Sequence, residues 1–105
     1  MGTRRCNRLL CTACALLVAP GALSADTADE QMAGAIEAVV FVCAPIDAKT
    51  AKTGLDLLAA AAAQRKLDLA AARKSAAYRS IYNSEANRLL SLPPKERLAA
   101  CKSAW

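Results

Sequence analysis

The spacing in this sequence that is most suggestive of chemistry is a pair of cysteines, Cys11 and Cys14, separated by two residues. A CxxC pair serves in thiol redox proteins and as half of a zinc site. A c-type haem site also uses this spacing, but it requires a His directly after the second cysteine, and the chain contains no His. Whether the pair does any chemistry depends on the segment that carries it.

The segment around these cysteines has the layout of a secretory signal peptide. Three arginines precede it, no acidic residue occurs before Asp26, and residues 9–18 are almost uninterruptedly apolar. A transmembrane helix needs about 20 apolar residues, whereas Pro20 and Gly21 break this run. We therefore predict a signal peptide over residues 1–25 and a protein exported to the periplasm or the extracellular space. Twin-arginine and lipoprotein signals are weaker alternatives.

Cleavage of this leader would remove three of the five cysteines and leave Cys43 and Cys101. Because exported proteins meet an oxidising environment, we predict that these two form a disulfide. On the chain-entropy model a loop of this length stabilises the fold by about 4 kcal/mol, a large share of the stability of a chain of about 80 residues. The alternative is an exposed, exchangeable or intermolecular bond.

The remaining residue types offer little for catalysis or for a cofactor. Without His, and with both cysteines in a bridge, zinc and haem have no obvious ligands, and Asp26, Asp29 and Glu30 lie where we expect the chain to fray. Lys74 and Ser75 are adjacent, so on a helix they point about 100° apart and do not face each other. We therefore expect no enzyme activity, no metal and no cofactor.

One stretch, residues 78–88, has a more specific polar pattern than its neighbours. Arg79, Asn83 and Asn87 recur every four residues and so form one row on a helix. Asn is a mediocre helix former because its amide competes for backbone hydrogen bonds. The row therefore marks a solvated face, a helix break capped at Asn83 or Ser84, or a contact surface.

Two tyrosines accompany this row. Tyr78 and Tyr82 lie one helical turn apart, a spacing that suits core packing with solvated hydroxyls or, as the alternative, a ligand platform. Together the row and the tyrosines form the partner-contact surface that we predict: Arg79, Asn83, Asn87, Tyr78 and Tyr82.

The charge of the predicted mature chain is uneven. Residues 26–64 contain two basic and six acidic residues, whereas residues 65–105 contain nine basic and three acidic ones. Either acidic early helices pack beside basic later ones, or the later helices present a basic face to an anionic partner. A protein partner is our first expectation and an anionic lipid surface the second. We expect no nucleic-acid partner, since an exported chain with one aromatic cluster lacks a recognised binding motif.

Composition and apolar spacing predict an all-α fold. Ala, the best helix former, occupies 21 of residues 26–105. The one strand-like stretch, residues 39–42, continues a helical row of apolar residues. We predict a single domain over residues 26–105, a small bundle of three longer helices and one short C-terminal helix. The disulfide between Cys43 and Cys101 would tie the first helix to the last.

Local signals predict where the first two helices begin and end. The first spans about residues 27–43 and ends before Pro45, which forces the residue before it out of helical geometry. The second begins between Asp47 and Thr53, either of which can cap a helix, and it runs to about Lys66.

A third helical stretch covers about residues 69–92; either Asp68 caps it as a new helix, or the second helix runs on through Leu67 and Leu69. Pro94 suits the first turn of the final short helix. Residues 59–63, all alanine, present almost no side-chain bulk and predict a seam where a partner helix approaches closely. We expect Trp105 to pack over the disulfide.

The Cys-x-Pro spacing from Cys43 to Pro45, in an exported helical chain with two cysteines, is loosely similar to small periplasmic immunity proteins and to acid-stress chaperones. The resemblance implies no role for any residue. We predict a non-catalytic protein-binding module of the inhibitor, immunity or adaptor type, because the apolar residues look needed for the core. The alternative is an envelope-stress chaperone-like or membrane-surface-binding protein that acts through exposed apolar and basic faces.

Overall fold

The computed structural model describes residues 19–105, with side chains from Thr27 onward. Most of the predicted signal peptide, with Cys6, Cys11 and Cys14, lies outside the described residues, and its cleavage stays a prediction. Within the described residues the chain forms five helices and no strand, which confirms the all-α class. The helices are α1 (Ala19–Cys43), α2 (Ala48–Arg65), α3 (Leu69–Ala72), α4 (Ala76–Leu90) and α5 (Pro94–Lys102).

The helix α1 begins earlier than predicted. It starts at Ala19 rather than near Thr27, with Pro20 in its first turn, where proline fits because the first N–H groups of a helix have no partner within it. It ends at Cys43 as predicted, two residues before Pro45. Among the described helices, none combines the length and the apolar character needed to cross a bilayer.

The helix α2 follows α1 after a tight turn, with Asp47 at its N-cap position. The Asp47 carboxylate accepts the Thr50 hydroxyl at 3.1 Å and makes no side-chain hydrogen bond to a backbone N–H of the first turn. The alternative start at Thr53 is wrong, because the helix already runs through it. The helix ends where Lys66 takes a left-handed backbone conformation, with φ 54° and ψ 43°.

The predicted third helix is divided into two. Of the two alternatives at Asp68 the cap is correct, since its carboxylate accepts the backbone N–H three residues ahead at 3.2 Å. Ser75 then has an extended backbone, and its hydroxyl accepts the N–H of Tyr78 at 3.1 Å, which starts α4. A single helix over residues 69–92 is therefore wrong. A break at Asn83 is also wrong, because α4 continues through it.

Arg97 fastens α5 to the end of α4. The helix α5 begins at Pro94, as predicted. The Arg97 guanidinium donates, at 3.1, 3.0 and 2.8 Å, to the carbonyl oxygens of Leu89, Leu90 and Leu92. Carbonyl groups at the end of a helix have no partner within it, and the helix dipole favours a positive charge there. One side chain thus sets the direction of the chain after α4.

The helix α1 is central, since both α4 and α2 pack along it. It runs parallel to α4: Gly34 approaches Tyr78 at the start of α4, and Val42 packs with Leu89 near its end. The parallel arrangement arises because α2 returns the chain to the start of α1 before α4 begins.

The helix α2 runs antiparallel to α1, as its short connection predicts. Gly54 in the first half of α2 lies against Val40, near the end of α1. Arg65, the last residue of α2, pairs with Asp29 in the opposite direction along α1, at 2.9 Å. Each outer helix therefore buries one face against a shared central helix.

The predicted disulfide is present where α1 ends. Cys43 and Cys101 are both buried, and their Cα atoms are 5.7 Å apart. The larger apolar cluster surrounds the bridge and comprises Ala38, Val39, Val42, Ala86 and Leu89. The bundle of three longer helices and one short C-terminal helix, closed by this bridge, is confirmed, with α3 as an additional single turn.

Close helix approach occurs at two glycines rather than at the alanine run. Three of the five alanines in residues 59–63 are exposed, so the predicted seam there is mostly surface. A Cβ added at Gly34 would lie 2.6 Å from the carbonyl oxygen of Tyr78, and one added at Gly54 would overlap the ring of Trp105. Small side chains form a seam only where another element reaches them, and most of this run stays exposed to solvent.

Candidate interaction surface

The polar row predicted from the sequence lies on the exposed side of α4. Arg79, Asn83 and Asn87 are all exposed, and the helix is unbroken across them. Their spacing of four residues on a continuous helix places them on one face. The helix therefore presents these three side chains together to solvent.

The two tyrosines predicted beside this row turn toward the core. Tyr78 is buried and Tyr82 is half-buried, and their rings stack with centroids 5.7 Å apart. From Tyr82 the run of aromatic rings continues to Phe41 of α1, at a centroid distance of 6.2 Å. Phe41 is 60% exposed. The run thus leads from the core to the surface.

A charged pair anchors the inner end of this aromatic run. The hydroxyl of Tyr78 donates to Glu37 Oε1 at 2.5 Å, and the same carboxylate accepts Arg73 Nε at 2.8 Å and Nη2 at 2.7 Å. The hydrogen bonds from Arg73 lower the pKa of Glu37, while burial, followed by the hydrogen bond to Glu37, raises the pKa of Tyr78 to about 12. At neutral pH the carboxylate is ionised and the phenol is a fixed donor.

Positive charge predominates where α4 begins. Arg79 Nη1 donates to the carbonyl oxygen of Lys74 at 2.5 Å, which holds the guanidinium near the turn before α4. Arg73 and Arg88 are each paired with a carboxylate, at 2.7 and 2.6 Å. Among the described residues, neither Arg79 nor Lys74 forms an ion pair. Their charges therefore face solvent uncompensated by a contacting acid.

Trp105 lies against the first half of α2. Its Nε1 donates to the carbonyl oxygen of Thr50 at 3.0 Å, and its ring covers Gly54. Thr50 is buried, and its hydroxyl donates to the carbonyl oxygen of Cys101 at 3.0 Å. Thr50 thus links the indole of Trp105 to Cys101, one of the two disulfide cysteines.

Several large apolar side chains are exposed, contrary to the expectation that the core would need them. They are Phe41, Ile46, Leu55, Leu57, Leu90 and Trp105. The physical reason is the arrangement around α1, because α2 and α4 each bury one face and leave the other uncovered. On α2, for example, Leu58 is buried while Leu57 beside it is 44% exposed. The expectation that the apolar residues are needed for the core therefore does not hold for these six.

Ser75, considered with Lys74 for catalysis, is engaged in helix capping. Its hydroxyl donates to the carbonyl oxygen of Ala72 at 2.7 Å and accepts the N–H of Tyr78 at 3.1 Å. Over residues 19–105, no group of three or more His, Cys, Asp or Glu side chains is placed to hold a metal ion.

Comparisons of the chain with protein-family models, with curated proteins and with solved structures found no match. We therefore choose the candidate interaction surface from the geometry of this chain alone. On α4, Arg79 is a surface neighbour of both Tyr82, three residues on, and Asn83, four residues on. We define the Phe41 surface by these residues and their neighbours: Phe41, Tyr82, Arg79, Asn83 and Lys74.

Sequence reasoning missed two side chains that shape this surface. The apolar run of residues 39–42 predicts burial on several sides of the helix, whereas the packed structure leaves Phe41 exposed. Glu37 is a lone carboxylate among the apolar residues of α1, and this was the available signal that it has a partner. That the partner is Arg73, 36 residues later, follows from no local pattern.

Proposed function

We propose that the protein is a small exported, non-catalytic binding module of the inhibitor, immunity or adaptor type that recognises a protein partner through α4. The supporting observation is the exposed row of Arg79, Asn83 and Asn87 on a continuous helix, beside the exposed ring of Phe41. Aromatic residues and Arg are enriched at the centres of protein interfaces. Asn amides offer both donors and acceptors to a partner.

The helix α4 is held in place along its length, which suits it to recognition. Ser75 caps its first turn and Arg97 binds carbonyl groups at its last. Between these ends, the hydrogen bond from Tyr78 to Glu37 and the close approach at Gly34 keep α4 against α1. A surface that is ordered before binding loses less conformational entropy on association.

A photo-crosslinking amino acid at Asn87 tests this proposal in cells that export the protein. The matched control is the same amino acid at Gln64, an exposed polar position near the end of α2. We expect capture of one protein partner from position 87 and none from position 64, and we expect Asn83→Ala to lower the capture. No capture, or equal capture from both positions, would contradict the proposal.

The exposed apolar side chains favour a second candidate, an envelope-stress chaperone-like or membrane-surface-binding protein. Leu55, Leu57 and Leu90 are 51%, 44% and 47% exposed and lie outside the α4 row. Such a protein would bind a hydrophobic dye, or anionic vesicles with an affinity that falls as salt screens its basic side chains. Dye binding that weakens in Leu55→Ala and Leu57→Ala, while Asn83→Ala has no effect, would favour this second candidate.

A further inference from the structure

We propose that the partner of the Phe41 surface is an acidic amphipathic protein segment. Its apolar side chains pack on Phe41 and Tyr82, and its carboxylates pair with Arg79 and Lys74. This inference rests on the proposed function and adds the chemistry of the partner.

The apolar half of the Phe41 surface is the ring of Phe41, which packs on other aromatic rings. Phe41 is 60% exposed, and its ring lies at 44° to that of Tyr82, with centroids 6.2 Å apart. Tyr82 in turn stacks on Tyr78, whose hydroxyl is fixed by Glu37. An aromatic side chain has few rotatable bonds, so it offers a large contact area at a low cost in side-chain entropy. The ring can therefore serve as an anchor without prior rearrangement.

The charged half of the Phe41 surface is positive because the nearby acid is already satisfied. Glu37 lies four residues before Phe41 on α1, so the two are surface neighbours. Its carboxylate accepts two hydrogen bonds from Arg73 and one from Tyr78, and its charge is compensated by the guanidinium. Arg79, which forms no ion pair among the described residues, supplies the remaining charge. An acidic segment is complementary to this arrangement.

A peptide segment fits this surface better than a lipid surface or a second copy. Asn83 is the neighbour of Arg79 on the exposed face, and its amide offers directional hydrogen bonds that suit a peptide backbone. In a twofold-symmetric dimer the same patch meets itself, so Arg79 and Lys74 would face their own copies and repel.

Binding of a defined probe tests the inference on the purified, disulfide-bonded protein. The probe is a fluorescently labelled amphipathic peptide of Leu and Glu, and its matched control replaces every Glu by Gln. We expect the dissociation constant for the Glu peptide to rise about tenfold in Phe41→Ala, because the variant removes the aromatic anchor. We expect it to rise about tenfold in Arg79→Glu, because the variant reverses the charge that the peptide meets. We expect a change within about twofold in Leu57→Ala, an exposed apolar residue on α2.

Several outcomes would overturn the inference. Equal loss in Leu57→Ala would show unspecific apolar binding, and equal affinity for the Gln peptide would show that charge plays no part. Phosphatidylglycerol vesicles that bind in a Phe41-dependent way, without peptide binding, would identify a lipid surface instead. If the Glu peptide does not bind while position 87 still captures a protein, this inference is wrong and the proposed function stands. Melting curves check that the variants fold, and the exposure of Phe41 and Arg79 favours this.

Discussion

Two regions of α1 are held to their neighbours by different kinds of interaction. At its carboxyl end, which we call the disulfide end, the Cys43–Cys101 bridge is covalent and buried, and a buried hydrogen bond from the Thr50 hydroxyl of α2 to the carbonyl oxygen of Cys101 lies beside it. Near its middle, Glu37 holds Arg73 and Tyr78 in a network that is partly exposed to solvent. The disulfide end should therefore resist changes of pH and salt, while the network, which supports the Phe41 surface, should respond to them.

The largest effect expected is from removing the bridge, which would break the disulfide end. The two cysteines are 58 residues apart in the sequence, and on the chain-entropy model a loop of this size stabilises the fold by about 4 kcal/mol. We expect Cys43→Ala with Cys101→Ala to lower the free energy of unfolding by about this amount in urea titrations, and reduction of the native protein to do the same. A loss below about 1 kcal/mol would show that the apolar core holds the bundle unaided.

Changing Gly34 and Gly54 to Ala compares the two regions directly, since Gly34 lies against Tyr78 of the Glu37 network and Gly54 lies nearer the disulfide end. At Gly34 a Cβ meets the backbone carbonyl of Tyr78, which cannot move without separating α1 from α4, so Gly34→Ala should cost about 2 kcal/mol. At Gly54 the obstacles are side chains rather than backbone: the ring of Trp105, which can swing away, and Cγ2 of Val40 on α1. There the gain in helix propensity of about 1 kcal/mol should offset part of the cost, so Gly54→Ala should destabilise the fold less than Gly34→Ala, while Trp105 fluorescence shifts to the red. Equal destabilisation by the two variants would contradict this account.

The Glu37 network should make stability depend on pH at both extremes. Because the folded pKa of Glu37 is lowered from its ordinary 4.5, its contribution is complete above that value and is lost as the pH falls through the folded pKa. For Tyr78 the folded pKa is raised from 10.0 to about 12, so its contribution is complete below pH 10 and is lost as the pH rises to about 12.

Unfolding measured across pH, with two variants, separates these contributions. We expect Glu37→Gln to reduce the loss of stability in acid, and Tyr78→Phe to reduce the loss in alkali. Wild-type and variant curves that stay parallel at both extremes would show that the network does not contribute to the pH dependence.

The smallest effect on stability is expected for the predicted contact row. Asn83 and Asn87 are exposed in the interior of α4, and Ala is the better helix former, so changing both to Ala should raise the free energy of unfolding by less than about 1 kcal/mol. The same double variant should lose capture of the partner by a crosslinker at Ser80, an exposed position on the same helix. A drop in stability would mean that the row supports the fold rather than a partner.

Local features of the sequence were sufficient for much of the fold. Pro45, Pro94 and Asp68 restrict or cap their own stretches of backbone, and the structure has helix boundaries where each predicts one. Ser75 carries an equally local capping signal, but it lies in an alanine-rich stretch that favours helix on both sides. The division between α3 and α4 was therefore missed.

The candidate surface was predictable only in part. The spacing of Arg79, Asn83 and Asn87 placed them on one face, and their exposure on α4 agrees with that placement. The role of Phe41 was not predictable, because an apolar residue in an apolar run gives no sign of which faces another helix will cover. The alanine run of residues 59–63 failed as a seam for the same reason.

The sequence by itself determined the all-α class and most helix ends, since these depend on residue type and on near neighbours along the chain. It also predicted the pairing of Cys43 with Cys101, because these are the two cysteines that remain outside the predicted signal peptide. Only the tertiary structure decided that α1 lies between two outer helices, that Glu37 meets Arg73, and that Phe41 faces solvent. These features arise from contacts between residues far apart in the sequence. Such contacts depend on which helix faces meet, and this choice minimises the free energy of the whole bundle rather than that of any one helix.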